Sequence, residues 1–185
     1  MYRIDHLAFR VACRKRTANF FIKTFGYKLQ TEFQIKFDDN STAECIALEP
    51  PEKLISGSPW TIVLPDEKER IEGKGLEYHR PPEYFVSDGT PDSIVGRWVQ
   101  ERNGIGGLHH IALQCDSVIE TMNEWKQKGY AEFTTDEPLS CPDLVQVFTK
   151  PSLLTGVIFE LIQRGKHGFC KDNVKHLMAS TGNMK

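Results

Sequence analysis

Two stretches of this chain, about one hundred residues apart, share one pattern. The first is Ile4-Asp5-His6-Leu7-Ala8-Phe9-Arg10-Val11, and the second is Leu108-His109-His110-Ile111-Ala112-Leu113-Gln114-Cys115. Both read apolar, polar, His, apolar, Ala, apolar, polar, small apolar. The segments after them repeat as well. A helical stretch from Arg16 to Phe25 ends at Gly26-Tyr27, and another from Ser117 to Lys128 ends at Gly129-Tyr130. A strand, a helix and a Gly-Tyr stop recurring at nearly equal spacing predict two related modules with equivalent histidines. The alternation places His110, Ala112 and Gln114 on one strand face and His109, Ile111, Leu113 and Cys115 on the other.

The remaining elements complete the plan. In the first module Tyr27 to Phe37 and Thr42 to Leu48 form a hairpin around Asp38-Asp39-Asn40-Ser41, and Trp60-Thr61-Ile62-Val63-Leu64 is a fourth strand. In the second, Tyr130 to Thr134, Leu144 to Thr149 and Gly156 to Gln163 are strands, with a loop over 136–143. The expected fold is α+β: two β-α-β-β-β modules pairing into a cup-shaped curved sheet. The first module spans 1–65 and the second 105–164. Between them, 66–104 is a long connection with a short strand at Tyr84-Phe85-Val86 and a linking helix from Ser93 to Glu101. A closing segment, 165–185, carries a short helix from Asp172 to Ser180.

Composition narrows the function. A net charge of -2 and a pI near 6.3 favour neither nucleic acid nor an anionic membrane. No apolar run approaches spanning length, and no basic, apolar leader opens the chain. The five cysteines (13, 45, 115, 141 and 170) include no Cys-x-x-Cys pair. They argue against a disulfide framework or a structural zinc site, and for a reducing, cytoplasmic location. They read as small core residues, with Cys170 as a partly exposed thiol. His79, His167 and His176 read as surface residues.

Glu160 is the third notable residue. It lies within Val157-Ile158-Phe159-Glu160-Leu161-Ile162, and a carboxylate is seldom buried without a partner. Three readings compete: an edge-strand position facing water, a pair with a buried arginine such as Arg10, and a metal ligand. The two repeat-related histidines favour the last. Two neutral imidazoles and one carboxylate suit iron(II) and leave positions open. Zinc, manganese, cobalt and nickel take similar ligands.

At these residues the chain resembles the vicinal oxygen chelate superfamily, which pairs such modules around one metal. The superfamily includes glyoxalase I, methylmalonyl-CoA epimerase, extradiol dioxygenases and metal-free antibiotic-binding proteins. Within it, four segments resemble the catalytic half of 4-hydroxyphenylpyruvate dioxygenase. They are Gly107 to Leu113, Leu144 to Pro151, Phe159 to Arg164, and Gly168-Phe169-Cys170-Lys171-Asp172-Asn173-Val174. The resemblance implies His6, His110 and Glu160 as metal ligands, Gln146 as a substrate-facing amide, and Phe169 and Asn173 as groups closing the cup. Val174, Cys170 and Asp172 depart from that enzyme's pattern. The dioxygenase's non-catalytic N-terminal half has no counterpart.

In the superfamily's epimerases and glyoxalases, a Glu or Gln on the last strand of the first module adds a fourth ligand. Trp60 to Leu64 offers neither. The implied function is therefore an iron(II) dioxygenase acting on a 2-oxo acid or another chelating small molecule. The alternatives are a redox-neutral epimerase or lyase, and a non-catalytic binding module. Expected partners are a small-molecule substrate alone, with the protein a monomer or homodimer.

Overall fold

The row His6, Ala8, Arg10 is buried along the first strand, while its neighbours are half-exposed. That alternation makes the segment one wall of a cavity. The computed structural model describes residues 2–51, 81–142, 144–165 and 169–182. The strand expected at Trp60 to Leu64, His79 and His167 lie outside the described residues.

The elements in chain order are β1 (Arg3–Val11), α1 (Arg14–Phe25), β2 (Lys28–Lys36), β3 (Thr42–Glu49) and β4 (Glu83–Gly89). Next come α2 (Ile94–Gln100), β5 (Gly106–Gln114), α3 (Val118–Lys128), β6 (Leu139–Cys141), β7 (Leu144–Phe148), β8 (Ile158–Arg164) and α4 (Lys171–Ser180). The strands form one curled eight-stranded sheet in the order β2-β3-β4-β1-β5-β8-β7-β6.

The order is symmetric about the antiparallel β1–β5 seam. β4 runs parallel to β1, and β8 runs parallel to β5. The registers match residue for residue. His6 faces Glu83 and Ala8 faces Phe85, while His110 faces Ile158 and Ala112 faces Glu160. The expected cup of two related modules is the observed fold.

Local sequence explains the element ends. Gly26 and Gly129 cap α1 and α3 with φ of 74° and 67°, a left-handed conformation that glycine adopts without steric penalty. Ser93 and Ser117 cap α2 and α3 by accepting bonds from Gly96 N and Glu120 N. Helices α1 and α3 cover the outer face of the sheet. Phe21 of α1 packs with Ile46, Leu48 and Val86, and Met122 of α3 packs with Val147 and Leu161. Helix α4 closes the inner face. Its stripe of Val174, Leu177 and Met178 meets Ala8, Phe85, Phe148 and Ile158. Each such side chain contributes about 1.5–3 kcal/mol when fully buried, so α4 is a well-anchored roof.

Three expectations change. The segment from Tyr130 to Thr134 makes only a single bridge, Phe133 to Thr149. Phe133 turns instead into the core with Trp125 and Val145, and the edge strand is β6, inside the stretch read as a loop. The strand read as a short piece at Tyr84 to Val86 is seven residues long and interior to the sheet. Finally, Cys141 and Cys170, read as unpaired, form a disulfide that ties β6 to the start of α4. The hairpin turn between β6 and β7 carries Cys141 to the start of that helix, a proximity that 29 residues of separation conceal.

Candidate metal centre

β1 and β5 project their histidines towards each other across the seam, and β8 brings Glu160 beside them. His6 Nε2 lies 3.2 Å from His110 Nε2. Glu160 Oε2 lies 3.3 Å from His6 Nε2 and 3.1 Å from His110 Nε2. All three residues are buried. The spacing can be tested against a cation. Ligands about 2.1 Å from an ion stand about 3.0 Å apart on an octahedral face and about 3.4 Å apart in a tetrahedron. The observed triangle falls between these values, so the donor set fits a divalent metal.

Each ligand is held from behind. Asp5 Oδ1 accepts a bond from His6 Nδ1 at 2.8 Å and is itself paired with Arg164 Nη2. That bond places the proton on Nδ1 and leaves Nε2 free for the metal. Gln146 Nε2 donates to Glu160 Oε1 at 2.5 Å, and Asn173 Nδ2 donates to Gln146 Oε1 at 3.2 Å. Gln146 and Asn173 thus form a relay that orients the carboxylate. Phe169 stands edge-on to His6 at 5.2 Å and lies 5.1 Å from Phe85. Arg10 does not pair with Glu160, whose partners are the two histidines and Gln146.

The charges of the metal-free site follow from this geometry. Burial opposes a charged His6, but Glu160 and the bond to Asp5 outweigh it and raise His6 to about 9. Burial dominates at His110 and lowers it to about 4. Glu160 is held well below the usual carboxylate range: burial opposes its charge, and the two imidazoles overcome that. The pair of histidines therefore carries one proton beyond the two of its neutral rings at neutral pH, on His6. A divalent ion held by these residues would displace that proton.

His109 contradicts strict alternation. The β1–β5 register slips by one between Ala8, opposite His110, and Phe9, opposite Leu108. His109 is the extra residue of this bulge, and bulges re-aim side chains. Its Nδ1 lies 2.8 Å from His110 Nδ1, and it lines the same cavity as His6 and Glu160. Gly106 holds the end of this seam at φ 82°, where an added Cβ would lie 2.0 Å from the Arg10 carbonyl oxygen. The remaining described histidine, His176, is exposed.

The repeat also locates the fourth-ligand position. The residue equivalent to Glu160 is the one opposite Ala8, which is Phe85. It is buried against His6 and Phe169. Phe85 offers no ligand atom at that position, which lies on β4 and not on the strand expected from the sequence.

The carboxylate behind His6 gives a direct test. Asp5→Asn removes that charge while preserving volume. Loss of such a partner typically costs 10–100-fold in metal affinity. Competition with a chromophoric chelator is expected to show a decrease of about that size, with the fold retained by circular dichroism.

No family model and no curated protein matches this sequence. Solved structures do match. A methylmalonyl-CoA epimerase superposes with a TM-score of 0.61 at 21% identity, covering 88% of this chain and 95% of that one. The methylmalonyl-CoA epimerase of Mycobacterium tuberculosis gives 0.59 at 14%, covering 89% of each. A mutant 4-hydroxymandelate synthase of Streptomyces coelicolor gives 0.71 at 16%, covering 98% of this chain and 53% of that longer one. Together with the paired modules and the buried His-His-Glu group, these likenesses show that the chain has the vicinal oxygen chelate fold.

Proposed function

We propose that this chain is a non-haem iron(II) dioxygenase acting on a 2-oxo acid or a similar chelating small molecule. The observation that carries the reading is the three-ligand set with Phe85 at the fourth-ligand position. A phenylalanine there offers no ligand atom, so an ion held by the three residues would keep more positions for substrate and oxygen. Iron(II), when bound, supplies the redox chemistry and the charge that anchors chelating oxygens.

The protein's own residues do the rest. His6, His110 and Glu160 hold the ion. Asp5 fixes the His6 tautomer, and Gln146 with Asn173 fixes the Glu160 rotamer. Phe85, Phe148 and Phe169 line the cavity and exclude water from the reacting groups. Phe169 and α4 close the cup.

The second reading is a redox-neutral epimerase or lyase. It is favoured by the epimerase structures, which match over nearly their whole length. Such chemistry needs a base beside the substrate carbon. The only carboxylate among the described lining residues is Glu160, already engaged by both histidines and Gln146. That leaves His109, whose Nε2 has no hydrogen-bond partner, as the base for this reading.

One pair of assays separates the two. Protein loaded anaerobically with iron(II) is expected to consume oxygen with a 2-oxo acid substrate, and to exchange no substrate proton with D2O under nitrogen. Anaerobic deuterium exchange without oxygen uptake would establish the redox-neutral reading instead.

A further inference from the structure

The cavity has a second pole that the metal chemistry leaves unused. Arg10 lies on the same face of β1 as His6, and its side chain is only 3% exposed. Nη2 donates to Thr181 Oγ1 at 2.9 Å. Nη1 is buried with no hydrogen-bond partner, and no carboxylate among the described residues pairs with this guanidinium. Beside it, His109 is 5% exposed, and its Nε2 is also buried without a partner. Both side chains line the cavity that holds His6, His110 and Glu160. Trp98 bridges them, 6.0 Å from the Arg10 guanidinium carbon and 5.4 Å from the His109 ring.

Arg10 Nη1 is a donor in every state, and a metal at the triad would make His109 Nε2 one as well. With a divalent ion on His110 Nε2, the His110 proton would sit on Nδ1, 2.8 Å from His109 Nδ1. His109 Nδ1 would then accept that proton's bond, and the His109 proton would lie on Nε2. Arg10 Nη1 and His109 Nε2 therefore belong to residues lining one cavity and have no hydrogen-bond acceptor among the described residues, with the Trp98 ring as their shared neighbour. Unsatisfied buried donors and unpaired buried charges are costly, so native proteins keep few of them. An anionic oxygen answers both.

We infer that Arg10 Nη1 and His109 Nε2 form a carboxylate-binding subsite, so that the substrate is a diacid. One end chelates the metal as a 2-oxo acid, and the other end delivers a carboxylate to Arg10. This rests on the 2-oxo acid reading above. Arg10 lies four residues along β1 from His6, roughly 13 Å at the strand rise. Phe85, Phe148, Phe169, Val174, Leu177 and Met178 line the space, which suits a hydrocarbon body between two acidic ends.

The test uses linear 2-oxo diacids of five, six and seven carbons beside 2-oxo monoacids of the same lengths. Binding is measured by calorimetry on cobalt-loaded and metal-stripped protein, for wild type, Arg10→Met and Arg10→Lys. Wild type is expected to prefer at least one diacid by roughly tenfold or more, the size of a charge-assisted bond. Arg10→Met is expected to abolish the preference while keeping monoacid affinity and metal content. Arg10→Lys retains part of it.

Stability gives an independent readout. Relieving a buried unpaired charge with a side chain of similar volume is expected to raise the ligand-free Tm of Arg10→Met by about 3 °C. Equal affinities for diacids and monoacids in wild type would overturn the inference. So would an unchanged preference in Arg10→Met, or a lowered Tm, which would mark Arg10 as a structural tie to Thr181. Absence of bound cobalt in wild type would instead overturn the metal reading; the diacid preference of the stripped protein then still decides the subsite.

Discussion

Glu160→Gln is expected to abolish stoichiometric metal binding, and with it any metal-dependent activity. The variant keeps the shape of the side chain and its contact with Gln146, but removes the only negative charge in the ligand triangle. Loss of an outer-sphere partner already weakens metal sites by roughly 10–100-fold, and loss of a ligating carboxylate exceeds that. His110→Ala should do the same. Elemental analysis of wild type and both variants checks the result; full metal content in Glu160→Gln would exclude this carboxylate as a ligand.

The same variant carries a proton signature. In metal-free wild type, His6 is raised to about 9 because Glu160 and Asp5 overcome its burial. A ligating imidazole must be neutral, so the metal displaces this proton. Apparent affinity is therefore expected to tighten about tenfold per pH unit up to about pH 9, with one proton released per ion near pH 7. The stability linkage of the metal-free protein has the opposite sign. The folded value lies above the unfolded value near 6.5, so this contribution is fully present below pH 6.5 and is lost as pH rises through about 9. In Glu160→Gln, Asp5 alone opposes the burial of His6, so the His6 value is expected to fall. Calorimetry in buffers of different ionisation enthalpy reads the proton count directly.

The site is legible in the sequence where chemistry and repetition coincide. His6 and His110 stand at equivalent points of a repeat, and Glu160 is a carboxylate in an apolar strand. Those signals need no knowledge of pairing. The hidden part depends on register. Glu83-Tyr84-Phe85-Val86-Ser87-Asp88-Gly89 has polar ends and comes after a proline pair, so it reads as a minor strand. Only its parallel pairing with β1 reveals that Phe85 occupies the position of Glu160. Alternation puts His109 on the wrong face because it assumes an unbroken ladder, and one bulge cancels that assumption. Gly106-Gly107 at the start of the strand is the available warning. Asp5 and Arg164 give no signal of their own because they act through other residues. The edge strand β6 gives none because three residues are too few to display a period.

Phe85→Glu is expected to convert a three-ligand site into a four-ligand one, at a large and metal-dependent cost in stability. Phe85 is buried against Phe33, Phe169 and His6. Truncating such a ring costs about 3–5 kcal/mol, and a buried carboxylate without a partner adds to that. At roughly 2–4 °C per kcal/mol for a chain of this size, the metal-free variant should melt about 10 °C or more below wild type. A bound divalent ion gives the new carboxylate a partner, so metal should recover more stability in the variant than it adds to wild type. The added ligand also occupies a coordination position that a dioxygenase needs open. Oxygen uptake should therefore fall sharply even where metal is retained. Melting curves across a metal titration check the first part, and oxygen consumption at full metal occupancy checks the second. If metal stabilised variant and wild type equally, Phe85 would not lie at the fourth-ligand position. The pseudo-symmetry that pairs it with Glu160 would then describe the backbone alone. If the variant bound metal more tightly and still consumed oxygen at the wild-type rate, the coordination position opposite Ala8 would be irrelevant to the reaction. The choice between oxidative and redox-neutral chemistry would then rest on the anaerobic exchange assay.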